Sequence, residues 1–227
     1  MIRLHAVVEG QTEESFVNRI LAQELWPHQV ITDVHMITTG RHGSRIHRGG
    51  LASYAKWRKD LTLWMKEDHN PDARFTTMVD LFRLPSDFPG YDACRGDIDP
   101  LRKAKRLEDA FADDIEDRRF IPYIQVHEFE ALLFVEPLKF DVAFPGRAEA
   151  AERLAAVRRD FSSPEHIDDG AETAPSKRIL AVLPEYQKPV AGPLILQHIG
   201  MTALRRECAH FDEWIRQLES CGAEQTG

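Results

Sequence analysis

Four carboxylates stand where an α/β sheet would deliver side chains to its strand ends. Glu9 closes the apolar run of "HAVVEGQTEESF", Asp80 closes that of "TTMVDLFRLPSDFPGY", and Glu128 and Glu130 follow the run in "PYIQVHEFEALLF". In open α/β sheets ligands bind outside the carboxyl ends of the strands, so acids far apart in sequence converge there. Clustered carboxylate oxygens are the donor set of a hard cation. Mg2+ or Mn2+ held by a few acids plus a substrate phosphate is the usual arrangement of phosphoryl-transfer sites. Taken alone, Glu9 has an ordinary alternative as a helix-dipole partner, and Asp80 as a turn former. Three such placements on successive strands point to a site.

A phosphate would also need positive partners. Arg41, Arg45 and Arg48, interleaved with His42 and His47, lie in the glycine-rich "GRHGSRIHRGG", which reads as a mobile basic loop. It would either grip phosphates through guanidinium and backbone donors or remain a solvated loop. Lys177, with Arg178 in "PSKRIL", sits at a predicted helix start, where amide dipoles favour an anion. Other chemistries lack their residues. The chain contains no Gly-x-x-x-x-Gly-Lys-Ser/Thr phosphate loop and no nucleophile elbow, and Cys94, Cys208 and Cys221 have neither disulfide-framework nor zinc-type spacing.

The elements that must position these residues are legible from periodicity. Apolar, β-branched runs at 2–9, 29–39, 73–82 and 120–126 read as strands, separated by helical patterns such as "GQTEESFVNRILAQELW" and "PLRKAKRLEDAFADDIED". The alternation predicts an α/β fold: a parallel sheet of about four strands flanked by helices. From Pro137 onward the strand pattern stops and short helices separated by Pro and Gly take over. This divides the chain into an α/β domain at 1–136 and a helical extension, 137–227, packed on it. The 227 residues are 43% hydrophobic and 29% charged, with a net charge of −8. Those values describe a globular chain without a membrane span, expected in the cytoplasm, whose basic patches can only be local.

The stretches "VVEGQTEESF", "MVDLFRLPSDFPGY", "PYIQVHEFEALLF" and "PSKRIL…YQKPVAGPLILQHIG…LRRECAHFDEWI" resemble an uncharacterised bacterial family with a Toprim-like domain, often encoded beside an AAA- or ABC-type ATPase. The resemblance implies a fold related to the nuclease domains of overcoming-lysogenisation-defect proteins. It assigns Glu9 to the glutamate that follows the first Toprim strand and Asp80 to the first acid of the Asp-x-Asp pair. The second acid of that pair falls on Phe82, so the element is incomplete, and Asp87 or Glu128 would have to replace it. The implied activity is that of a Mg2+- or Mn2+-dependent nuclease, catalysing through Glu9 and Asp80. Glu9, Asp80, Asp87 and Glu128 are its candidate metal ligands, and Arg41, Arg45, Arg48 and Lys177 its phosphate contacts. Glu9 would serve either the metal or as general acid or base, while Glu13 and Glu14 serve the first helical turn. The resemblance adds a nucleic-acid substrate and a partner ATPase in anti-phage defence. Its alternative is a noncatalytic adaptor that keeps the scaffold and binds the ATPase or nucleic acid.

Overall fold

This computed structural model describes residues 1–42, 45–48, 53–167, 170 and 172–223. β1 (Ile2–Val8) is buried along its length except at Arg3, the mark of a central parallel strand covered on both faces. The chain turns at Gly10 into α1 (Gln11–Phe16), which continues through a π-helical turn at Val17–Leu21 into α2 (Ala22–Leu25). β2 (Val30–Met36) comes next, then β3 (Thr38–His42) and β4 (Arg45–Arg48). α3 (Tyr54–Glu67), β5 (Ala73–Asp80) and α4 (Pro100–Ile115) complete the next crossovers.

The segment expected as a basic loop is instead largely a ribbon, with β3 and β4 paired antiparallel. Thr38, Thr39 and Ile46 favour extended backbone, which glycine content alone did not reveal. The side chains of Arg41, Arg45 and Arg48 lie outside the described residues.

The expected fourth strand forms in two pieces, β6 (Phe120–Ile121) and β7 (Ile124–Gln125). Pro122 between them has no N–H to give to a ladder. Thr77 repairs the gap. Its hydroxyl donates to the Tyr123 carbonyl at 3.0 Å and accepts from the Tyr123 amide at 2.9 Å. All pairings in the five-stranded sheet are parallel, in the order β2-β1-β5-β6 with β7 also on β5. The α/β class with a parallel sheet is therefore as expected.

Beyond Gln125 come 3-10 runs at Phe129–Val135 and Pro137–Val142, then α5 (Ala148–Arg159), α6 (Pro175–Val182), α7 (Lys188–Ile199), α8 (Met201–Glu207) and α9 (Ala209–Ala223). One apolar cluster joins β1 to Phe16 and Leu21 and to the C-terminal residues Ile195, Leu204 and Phe211; a second joins the opposite sheet face to Trp57 and Leu61 of α3 and Leu107 and Phe111 of α4. Helices thus cover both faces. α9 is fastened at several points: Trp214 stacks on Tyr123 with centroids 4.1 Å apart and donates to Thr76 Oγ1 at 2.9 Å. At its start, the Glu165 carboxylate accepts from the amides of His210 and Phe211. Gly222 lets the last turn approach His28, because a Cβ there would meet the His28 carbonyl oxygen. Among the described residues, no helix is long and apolar enough to cross a membrane.

One topological fact places the site. β1 and β5 are neighbours, yet the helices that follow them, α1 and α4, pack on opposite faces. The chain leaves the two strands in opposite directions, which opens a crevice at their carboxyl ends.

Candidate functional site

Glu9 follows β1 and Asp80 ends β5, so both stand in that crevice, and the Asp80 amide donates to Glu9 Oε1 at 3.2 Å. Asp80 then uses both of its own oxygens. Oδ1 accepts from the Phe129 amide at 2.9 Å, and Oδ2 lies 3.1 Å from Lys188 Nζ. The Phe129 bond ties the end of β5 to the turn after β7. His127 enters that turn with φ 60°, a left-handed conformation that swings the following Glu128 and Glu130 back toward the strand ends. Its own side chain is buried.

Glu9, Glu13, Asp80, Glu128 and Glu130 border a cavity of about 530 Å3, together with Arg83, Lys177 and Lys188. Five carboxylates face three cations. Lys188 stands among them, its Nζ 3.1 Å from Asp80 Oδ2, 3.2 Å from Glu130 Oε2 and 3.3 Å from Glu13 Oε1. Glu128 is held from the other side, accepting from Ser176 Oγ at 3.1 Å. The N-termini of α6 and α7 also border the cavity through Ser176, Lys177, Lys188 and Pro189. Their partial positive charge offsets the acids and suits an incoming anion.

Lys188 reaches the centre from the first turn of α7, which packs against Phe129 and Tyr186. Gly192, one turn further on, eases this packing, since a Cβ there would sit 3.2 Å from Phe129 Cε1 and 3.3 Å from Tyr186 Oη, tight enough that those side chains would have to give way. Pro189 fits in the first turn, where a missing N–H breaks no helical bond.

The electrostatics record an excess of negative charge. Burial pushes the Glu9 carboxyl up to about 8, with Asp80 and Glu13 adding to the effect. Burial likewise raises Glu130 to about 7, against the pull of Lys188. Glu13 is raised for the same leading reason. For Lys188, burial pulls downward, and Asp80, Glu130 and Glu13 together outweigh it, so its ammonium is held well above the usual range. Among the described residues the buried Glu130 Oε2 has no hydrogen-bond partner and relies on its ion pair with Lys188. A single ammonium does not neutralise this group, and an all-oxygen donor set with surplus charge fits a hard divalent cation. Glu9, Asp80, Glu128 and Glu130 are the candidate donors; among the described residues their oxygens do not form a set of three within 4.8 Å of one another, so the side chains would draw in around a cation.

The sequence-derived candidates divide accordingly. Glu9, Asp80 and Glu128 meet at the cavity, and Lys177 is on its border. Asp87 does not join them. Its two oxygens accept from the Tyr54 amide at 3.0 and 3.1 Å, and Ser53 Oγ donates to it at 3.1 Å. It caps α3 from a distant loop, where free amides at a helix start attract a carboxylate more strongly than the crowded acids do. Phe82 is half exposed and offers no ligand. Glu13, Lys188, Arg83 and Ser176 all escape the sequence reading. Glu13, assigned there to the helix turn, is buried and is one of the carboxylates around Lys188. Its spacing of four from Glu9 was the available sign. Lys188 had no local sign beyond a lysine beside a proline at a helix start.

A family model described as "Domain of unknown function (DUF4276)" matches residues 8–219. No curated protein and no solved structure matches the chain.

Proposed function

Because the chain belongs to the DUF4276 family, a domain of unknown function, its chemistry has to be read from the cavity itself, and we propose Mg2+- or Mn2+-dependent cleavage of phosphodiester bonds in nucleic acid. The observation that carries this reading is the surplus of buried carboxylates at the β1/β5 crevice, with Glu9 raised to about 8. The Toprim resemblance supports it, with Glu9 and Asp80 at the strand ends that a Toprim-like site uses.

A divalent cation held by Glu9, Asp80, Glu128 and Glu130 would neutralise phosphate charge and make a bound water more acidic. The chain's own groups divide the remaining work. Lys177 and Arg83 at the cavity border would receive phosphate oxygens, helped by the α6 amides. Ser176 orients Glu128 through its hydroxyl. Glu9 stands beside the Asp80 amide at the cavity, and where it does not itself hold the cation it would take a proton from the attacking water or return one to the leaving oxygen. Arg41, Arg45 and Arg48 belong to a ribbon that leaves the sheet at the carboxyl end of β2, the end at which Glu9 stands, and are proposed as further phosphate contacts. The partner in this reading is an ATPase encoded nearby, in an anti-phage role.

A second reading is favoured by one observation. Lys188 is a built-in counter-ion at the centre of the acids, which is what a noncatalytic scaffold that binds nucleic acid or the ATPase would need. Purified protein incubated with DNA and with RNA, with Mg2+ or Mn2+, alone and with the ATPase, separates the two. Metal-dependent cleavage lost in Glu9→Gln and Asp80→Asn supports the enzyme. Absence of cleavage in every arm leaves the adaptor.

A further inference from the structure

Four residues before Glu9, on the sheet face covered by α3, β1 carries a histidine. Parallel register sets His5 beside Asp33 on the edge strand β2, and the two-residue period of a strand returns His35 to the same face. Three donor atoms meet there. His5 Nδ1 and His35 Nε2 are 3.2 Å apart, His5 Nδ1 and Asp33 Oδ2 3.4 Å, and His35 Nε2 and Asp33 Oδ2 3.2 Å. Tetrahedral zinc, with bonds of about 2.0–2.1 Å, sets its ligand atoms about 3.3–3.4 Å apart. A magnesium octahedron of similar bond length would need about 2.9 Å and oxygen donors throughout.

We infer that His5, Asp33 and His35 form a binding site for a Zn2+-class transition-metal ion, independent of the acidic cavity. Two imidazoles and one carboxylate are the donors such ions select. The surroundings are those of a ligand set. His5 Nε2 lies 2.8 Å from Asp68 Oδ2, and Asp68 is fixed in turn by Arg3 Nε at 2.7 Å and by the Asn70 amide at 3.0 Å. A proton given by Nε2 to Asp68 leaves Nδ1 as the lone pair toward the triangle, the relay that orients ligating histidines. Ring stacking holds both imidazoles: His5 lies against Phe75 with centroids 4.9 Å apart, and His35 against Trp64 at 4.5 Å.

The three ligands border a cavity of about 370 Å3 that Trp64 and Glu67 also line. It supplies an entry path and room for the water that completes a three-ligand zinc site. About 13 Å of strand separates His5 from Glu9, far beyond the roughly 4 Å spacing of a two-metal centre.

The test is a calorimetric titration of metal-stripped protein with Zn2+, paired with Co2+ absorption, whose visible bands are much stronger in four-coordinate than in six-coordinate geometry. With excess Mg2+ present to occupy the acidic cavity, wild type should bind about one tight Zn2+ equivalent and give the intense cobalt spectrum. His35→Gln and Asp33→Asn, on the accessible edge strand and checked by circular dichroism, should lose both. Asp68→Asn should weaken Zn2+ about 10- to 100-fold, and Glu9→Gln should leave it unchanged. Absent Zn2+ binding, binding indifferent to folded His35→Gln and Asp33→Asn, or binding that disappears with Glu9→Gln would each overturn the proposal.

Discussion

Lys188 Nζ lies 3.1 Å from Asp80 Oδ2 across 108 residues of chain. One contact thereby joins the end of a central strand to the first turn of a C-terminal helix, and it makes the acidic cavity a product of both halves of the sequence. Removing the ammonium leaves Asp80, Glu13 and Glu130 without their shared counter-ion. Lys188→Met should cost about 3–5 kcal/mol, the usual penalty for breaking a buried ion pair from one side. Urea unfolding at pH 8 measures it. The loss should shrink at pH 5, where Glu9 and Glu130 carry protons, and an equal loss at both pH values would contradict the account.

Glu9 makes its own pH-dependent contribution. Its carboxyl sits at about 8 in the folded protein against 4.5 ordinarily, so folding favours the protonated form. The associated stability is fully present below about pH 4.5 and is lost as pH rises toward 8, with a slope of at most about 1.4 kcal/mol per pH unit for one proton. Glu9→Gln should therefore flatten the stability profile across this window and gain relative to wild type at its alkaline end. Saturating Mg2+ should flatten the wild-type profile too, since a bound cation favours ionised carboxylates. Parallel wild-type and Glu9→Gln profiles would refute the raised carboxyl.

Gly192 governs how near α7 comes. A side chain there meets Phe129 and Tyr186, so Gly192→Val should cost about 1–3 kcal/mol by overpacking and move Lys188 out of the acids. The readout is twofold: denaturant midpoint, and a steeper loss of stability above neutral pH than wild type shows.

Asp87→Ala should cost about 1 kcal/mol, the worth of a helix cap, while leaving Mg2+ binding intact. Its carboxyl is held below the usual range first by the Tyr54 amide, so the cap is present above the ordinary carboxylate range and fades as pH falls through the depressed value. Weakened Mg2+ affinity in this variant would return Asp87 to the metal set.

Strand ends could be read from apolar runs because burial on both faces leaves a continuous signature in the sequence, and Glu9, Asp80 and Glu128 came with them. The break at Pro122 escaped the reading of 120–126 as one strand, although proline's missing donor is a local property. Asp87 stands apart from the cavity: proximity to Asp80 in sequence says little about which free amides a loop acid will meet. Lys188 was invisible for the converse reason: its partners are set by the packing of α7 through Gly192, and no pattern near "YQKPV" encodes a contact 108 residues away.

The fastening of α9 also bears on how the protein is made. Thr76, in the middle of β5, donates to the Ile121 carbonyl and receives the Trp214 indole N–H, while Glu108 of α4 pairs with His210 at 2.9 Å. Both partners belong to α9, which leaves the ribosome after every other element named here. Until it emerges, a nascent chain holds an open sheet face over Tyr123, and Glu108 keeps only its bond from the Ile124 amide at 2.8 Å. The sheet face at Tyr123 is therefore closed only once α9 docks, and a chain cut short before α9 would leave that apolar surface uncovered.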